Sequence, residues 1–465
     1  MIHEPTSTLS PYTSLVEQAR LVRDGEASAR ELVELSLERI ARLDPQLNAF
    51  RCVLTDAARA AADAADARRA AGEHAPLLGV PVAVKDNMDM AGELTTHGTG
   101  AVRTAAGADA EVVRRLREAG AVIVGKTNLP ELAMWGHFTA SQTHGVTRNP
   151  WNPERSAGGS SGGAAAAVAA GMVAGAVGSD GGASIRVPSA LCGVFGMKPQ
   201  RGLVPLAPDG DHWHGLTHFG PITRSAADAA LLLDAVAAGD GGADTFAVTT
   251  AHDPGPLRIG VALKSTLPNV RLSKAWRQGV EQTAERLREL GHTVVDVKPR
   301  YGMLLPVIMP RYLAGVADDA TRLERPDVLE TRSRRMAGVG RRLHGRPLRR
   351  ALEREAGIAE RINAAFDHVD LLITPVVAAP AGKADASAGR GAFRTFNDGA
   401  PYVAYTAVWN YTGQPAAALP AGFDADGMPL AAQLIAKPGA NATLLSLAAQ
   451  LEQAAGPARH PELEG

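Results

Sequence analysis

Short apolar runs alternate along this chain with longer stretches in which charge and alanine share the positions. Residues 14–43 read as two helices, the second capped by Ser28 ahead of Ala29-Arg30-Glu31-Leu32. Residues 55–72, rich in Ala, Asp and Arg, predict a helix with one solvated face. The pattern then changes. Leu78 to Val84 is a short apolar strand ending at Lys85-Asp86-Asn87; Ala110 to Glu118 is helical; Ala121 to Gly125 is a strand. An alanine-rich helix over 164–170 is closed by Gly171, and a strand follows over 173–177. Further on come a helix over 275–290, strands over 293–297 and 369–375, and a helix over 442–454. The segment 380–392, rich in Gly, Ala and Ser, reads as a surface loop. Strands alternating with helices predict an α/β protein: a central mixed, mostly parallel twisted sheet with helices on both faces.

Composition narrows the class. The 465 residues are 45% hydrophobic and only 4% aromatic, so the core must rely on Ala, Val and Leu. A formal net charge of −1 gives no general reason to expect nucleic acid or an anionic membrane as partner. Arginines crowd 332–354, read as a solvated helical region paired with Glu353, Glu355 and Glu360 rather than an anion site. No apolar run reaches the length of a membrane span and no secretory signal opens the chain, so the expectation is a soluble cytoplasmic protein. Two cysteines, Cys52 and Cys192, make no disulfide framework, and no Cys/His spacing reads as a metal site. Cys192, inside the run from Ala190 to Phe195, reads as a small buried residue.

Candidate chemistry lies in two glycine-rich loops. Gly158-Gly159-Ser160-Ser161-Gly162 satisfies the pattern G-x-S-x-G. The helix after it fits a nucleophile elbow, but Trp151-Asn152-Pro153-Glu154-Arg155 carries a proline and polar residues where a buried strand should run. The second loop is Gly181-Gly182-Ala183-Ser184. Small residues ahead of a serine can turn their N–H groups toward one point, as an oxyanion hole requires; the bland alternative is a tight turn with Ser184 as a helix cap. Lys85 ends an apolar strand, where desolvation can leave it a neutral base; the alternative is a strand-end lysine reaching solvent.

Taken together, the residues resemble the amidase signature family of serine hydrolases. The stretches that carry the resemblance are Gly79 to Asn87, Thr95 to Thr99, Val124 to Glu131, Asn149 to Asn152, Gly158 to Pro199, Gly220 to Ser225, Ile373 to Pro375 and Gly413 to Ala416. It spans about residues 15–454, and its run 158–199 is long and specific. The resemblance implies a Ser–cisSer–Lys triad: Ser184 as nucleophile, Ser160 as bridging proton relay on a cis peptide bond, Lys85 as general base. It implies an oxyanion hole from the N–H groups of Gly181, Gly182, Ala183 and Ser184, and no metal or cofactor. Asp180, Arg186 and Ser161 are expected to steady the loops, with a plain salt bridge the other reading of the Asp–Arg pair. Ala133, Met134, Trp135 and Trp213 are expected at the substrate pocket, with the Ala133 carbonyl near the leaving amine, against a competing reading as core packing. Histidines near 212–214 suggest a Ser–His relay, which Lys85 makes unnecessary. The expected organisation is a single domain: N-terminal helices over 1–75, a catalytic core over 76–250, and 251–465 completing sheet and pocket.

The implied activity is hydrolysis of a small-molecule carboxylic amide through an acyl-serine. An alternative is the amidase subunit of a tRNA-dependent amidotransferase, whose nucleophile loop typically reads Thr-Gly-Gly-Ser-Ile-Arg-Gln-Pro. Here Gly-Gly-Ala-Ser-Ile-Arg-Val-Pro favours a stand-alone enzyme. An inactive scaffold is disfavoured because all three triad positions are present. A homodimer is the base-rate expectation for assembly.

Overall fold

A computed structural model describes residues 9–239 and 245–463. The first eight residues, part of the stretch read for a signal, lie outside the described residues. One eleven-stranded sheet runs through the molecule. Its strands are β1 (Phe50–Val53), β2 (Pro81–Lys85), β3 (Val122–Thr127), β4 (Gly175–Asp180), β5 (Phe195–Lys198), β6 (His218–Thr223), β7 (Arg258–Val261), β8 (Thr293–Asp296), β9 (Leu371–Pro375), β10 (Ala416–Phe423) and β11 (Pro429–Ala436). They lie in the order β1-β3-β2-β4-β6-β5-β10-β11-β9-β7-β8.

Side-chain alternation divides this sheet between two cores, as a period of two requires. Val82, Val84, Ile123 and Val177 face the side packed by helices Glu111–Glu118, Ala226–Val236, Lys274–Glu289 and Asn441–Ala455. Ala83, Val122, Val124 and Ala176 face helices Ala29–Leu47, Thr55–Ala70 and Gly162–Ala169. Helices therefore cover both faces, and the small alanine side chains let them approach closely. The N-terminal pair forms as expected: helix Leu15–Asp24, then helix Ala29–Leu47 behind a capping box joining Ser28 and Glu31.

The sheet is mixed, but the expectation of mostly parallel strands is corrected. Six of its ten pairings are antiparallel. The parallel units β2–β3 and β2–β4 match the strand–helix alternation of the first half. The excess comes from segments not expected as strands: β6, which pairs antiparallel with both β4 and β5, and the β10–β11 hairpin. A turn over 424–428 closes that hairpin, with Asp424 N–H bonded to the Met428 carbonyl. The alanine run at 416–418 carries no strand signature of its own; register with β5 and β11 imposes it.

Strand ends moved for local reasons. The strand expected from Leu78 begins at Pro81, because Gly79 turns at φ +79° and Val80 N–H closes onto the Leu77 carbonyl. The stretch before the first serine loop is not a buried strand. Asn152–Ser156 pairs with Arg148–Asn149 in a small hairpin exposed at Pro153 and Glu154, which suits its proline and charges.

Candidate active site

β2 and β4 are parallel neighbours, and their carboxyl ends open at one edge of the sheet, the usual place for a ligand site in α/β folds. Lys85 is the last residue of β2; Ser179 and Asp180 end β4. The two serine loops cross this edge. Ser161 pins the first loop: its hydroxyl donates to the Ser179 carbonyl at 3.1 Å, and its N–H donates to the Ser184 carbonyl at 3.1 Å. Gly159 N–H is held by the Gly136 carbonyl at 3.1 Å, and the Gly159–Ser160 peptide is cis. No side chain fits at 159, where a Cβ would lie 2.2 Å from the Phe138 carbonyl oxygen.

Lys85 does not reach solvent. It is wholly buried, and its Nζ lies 2.7 Å from Ser160 Oγ and 2.8 Å from Ser179 Oγ. Burial holds the ammonium well below its usual pKa, and the charge of Asp180 only partly offsets this. Among the described residues no carboxylate touches it, so hydroxyls are its partners and the neutral amine is favoured.

The second loop wraps around Asp180. The Asp180 carboxylate accepts from Gly182 N–H at 3.0 Å, Ile185 N–H at 3.1 Å, and Arg186 Nε and Nη2 at 3.0 and 3.1 Å. Burial opposes its charge, but Arg186 and the surrounding donors outweigh that and keep Asp180 ionised. Arg186 is itself fully buried and reaches the Thr406 carbonyl at 3.0 Å and Gln433 Oε1 at 2.8 Å. Asn410 closes the network through its amide to Asp180 Oδ1 at 2.8 Å. The Asp–Arg pair is thus more than a salt bridge: it ties the serine loop to the C-terminal third. The same carboxylate occupies one of the N–H groups expected to face an oxyanion. Gly182 N–H is engaged by Asp180, whereas those of Gly181, Ala183 and Ser184 have no intramolecular partner among the described residues.

Ser184 lines an apolar cavity together with Ala133, Met134, Trp135 and Trp213. Leu132 and Ala133 at φ +55° and +53°, and Trp213 and His214 at +50° and +52°, are consecutive left-handed pairs. Such backbone persists only where surrounding packing over-determines it. The Trp213 ring sits between Gly181 and Gly315, where added Cβ atoms would lie 2.6 and 2.5 Å from it. Its indole donates to Asp319 at 2.7 Å. The histidines near 212–214 serve other partners: His212 meets Asp319 and Thr217, and His214 meets Asp318. His137 lines the cavity, and burial pushes its pKa down to about 4, leaving it neutral near pH 7.

Four features escaped sequence reasoning: Ser179, Asn410, Gln433 and the wall supplied by helix Leu305–Arg322 through Leu305, Ile308, Met309 and Tyr312. Gln433 carried a signal, as a lone amide in the apolar run from Leu430 to Ala436. Tyr402, Trp409 and Tyr411 are buried, Trp409 against Tyr301 and Phe366. Of the glutamates expected to pair the arginine cluster, Glu353 meets Arg349, but Glu355 binds Arg201 and Arg311 instead. Cys192 is buried and its thiol pushed up by desolvation, consistent with an inert core residue.

A family model described as Amidase matches residues 31–445. The chain belongs to the amidase family. It is 47% identical over 445 residues to "Putative amidase AmiB2" of Mycobacterium tuberculosis, covering 95% of this chain and 96% of that one. It is less similar, 36% over 492 residues, to a glutamyl-tRNA(Gln) amidotransferase subunit of Prochlorococcus marinus, covering 97% and 99%. Among solved structures, 6-aminohexanoate cyclic dimer hydrolase complexed with substrate superposes with a TM-score of 0.87 at 31% identity, covering 98% and 99%. A bacterial aryl acylamidase of the amidase signature family gives 0.85 at 27%, covering 96% and 97%. As an amidase, the protein hydrolyses carboxylic amides to an acid and ammonia or an amine. No helix among the described residues is long and apolar enough to cross a membrane.

Proposed function

We propose that this amidase works through Ser184, Ser160 and Lys85 on an uncharged amide with an apolar body. The observation that carries the mechanism is Lys85, wholly buried and 2.7 Å from Ser160 Oγ. Neutral Lys85 takes the Ser160 proton as Ser160 takes that of Ser184, and Ser184 Oγ attacks the amide carbon. The tetrahedral oxyanion is met by the N–H groups of Gly181, Ala183 and Ser184. The proton returns through Ser160 to the leaving nitrogen, the C–N bond breaks, and acyl-Ser184 remains. Water, deprotonated along the same path, then releases the acid and restores Ser184.

The wall chemistry supports the substrate class. Met134, Trp135, Leu305, Ile308, Met309, Phe396 and Val403 dominate the cavity, its polar side-chain groups are hydroxyls and two indoles, and its one histidine is held neutral. Burying a zwitterion such as glutamine against that surface without charged partners costs several kcal/mol. This favours a stand-alone amidase over an amidotransferase component. The test combines labelling and kinetics. A fluorophosphonate labels wild-type protein at Ser184 and leaves Ser184→Ala unlabelled, and kcat/KM for an uncharged aryl or alkyl amide exceeds that for glutamine at least a hundredfold. Labelling at Ser160 would overturn the nucleophile assignment. Faster turnover of glutamine would overturn the substrate class.

A further inference from the structure

A second cluster of chemically capable side chains lies behind the substrate wall. His214 Nε2 stands 3.2 Å from Asp318 Oδ2, and His344 Nε2 stands 2.8 Å from Asp318 Oδ1. Each residue offers a ligand atom, and these atoms lie within 4.8 Å of one another. Asp318 comes from helix Leu305–Arg322, His344 from the C-terminal end of helix Thr331–Leu343, and His214 from the left-handed turn beside Trp213. The two imidazoles meet at 80° with centroids 5.9 Å apart, so they converge edge to face rather than stack. Close as it is to Asp318, the buried His214 Nε2 makes no hydrogen bond.

We infer that His214, Asp318 and His344 form a binding site for a divalent transition-metal ion, with zinc(II) or nickel(II) as the type, separate from the hydrolytic centre. Two imidazole nitrogens and one carboxylate oxygen are a donor set that selects these ions over magnesium or calcium, which prefer oxygen. A tetrahedral zinc ion places neighbouring ligand atoms about 3.4 Å apart. The two histidine–aspartate separations, 3.2 and 2.8 Å, are already near that value. His344, half-exposed at a helix end, can turn to bring its nitrogen the remaining distance, and water completes the shell. The nearby cation, Arg311, is committed elsewhere: it donates to the His214 carbonyl and to Glu355 at 2.8 Å. An ion here joins the 212–215 turn to two helices, and so steadies the backbone that sets Trp213 against Gly181.

Tag-free protein stripped with a chelator is titrated with zinc(II), followed by calorimetry and thermal unfolding. The inference expects one saturable equivalent and a rise in Tm for wild type, with at least tenfold weaker binding and no rise in Tm for His344→Ala. It also expects chelator-treated His344→Ala to keep wild-type amidase activity, since His344 lies outside the catalytic residues. A cobalt(II) complex gives visible absorption that His344→Ala loses. Should Asp318→Asn fail to fold, the half-exposed His344 variant still decides. Absence of saturable binding, or equal affinity in wild type and His344→Ala, overturns the site.

Discussion

At the scale of single residues, two buried basic side chains define what can be tested. In the proposed mechanism Lys85 acts as a neutral base; burial lowers its pKa, so protonation on the acid side would remove that base. The expected profile is a plateau in kcat/KM extending well below the ordinary lysine range, with a tenfold loss per pH unit below the Lys85 pKa. Lys85→Met should lower kcat by about 10²–10⁴-fold and abolish that acid limb; a variant retaining both would remove Lys85 from the mechanism. Arg186 behaves differently. Its guanidinium compensates the buried Asp180, and Arg186→Leu leaves that carboxylate unpaired. Breaking one side of a buried pair costs about 3–5 kcal/mol, far above the 0–1 kcal/mol of a surface pair. Urea unfolding should show the loss, and Arg186→Lys should recover part of it.

Elements place these residues through close approaches. Gly315 lies mid-helix in Leu305–Arg322, where alanine would ordinarily stabilise by about 1 kcal/mol. Here its Cβ would fall 2.5 Å from Trp213 Cδ1 and 2.8 Å from the Trp213 backbone Cα. Overpacking costs about 1–3 kcal/mol and outweighs the propensity gain. Gly315→Ala is therefore expected to lower Tm and to raise KM through a displaced Trp213, with kcat affected less. A rise in Tm with unchanged KM would show that the turn over 212–215 yields freely. Element reading from the chain was good where the apolar pattern was strong: Lys274–Glu289 and Asn441–Ala455 fall within a residue of expectation. It failed for β10 and β11, whose alanine-rich runs become strands beside one another and beside the distant β5 and β9.

On the scale of the whole molecule, the C-terminal helix docks on the core through Glu452, whose carboxyl group accepts from Ala226 N–H at 2.9 Å. Burial, reinforced by Asp228, raises its pKa from 4.5 to about 8. The folded state thus holds a proton that the unfolded state releases near pH 4.5. Its contribution to stability is complete below that pH and is lost as pH rises through about 8. Glu452→Gln should flatten this slope: thermal unfolding at pH 8 shows a Tm about 2–4 °C above wild type, and the two converge near pH 4. Identical pH slopes would mean that Glu452 is ionised in the fold. The chain by itself determined the chemistry on offer. The glycine–serine loops and the lysine closing an apolar strand are local patterns, legible because each needs particular residue types at short spacing. Tertiary structure decided what they become. Lys85 meets Ser160 only because β2 and β4 end side by side, and the Gly182 N–H is engaged only because Asp180 folds back beneath its own loop. Asn410 and Gln433 join the site from more than two hundred residues away, at 230 positions from Asp180 and 247 from Arg186. Such contacts are set by sheet register and burial of charge, and no short-range pattern encodes either.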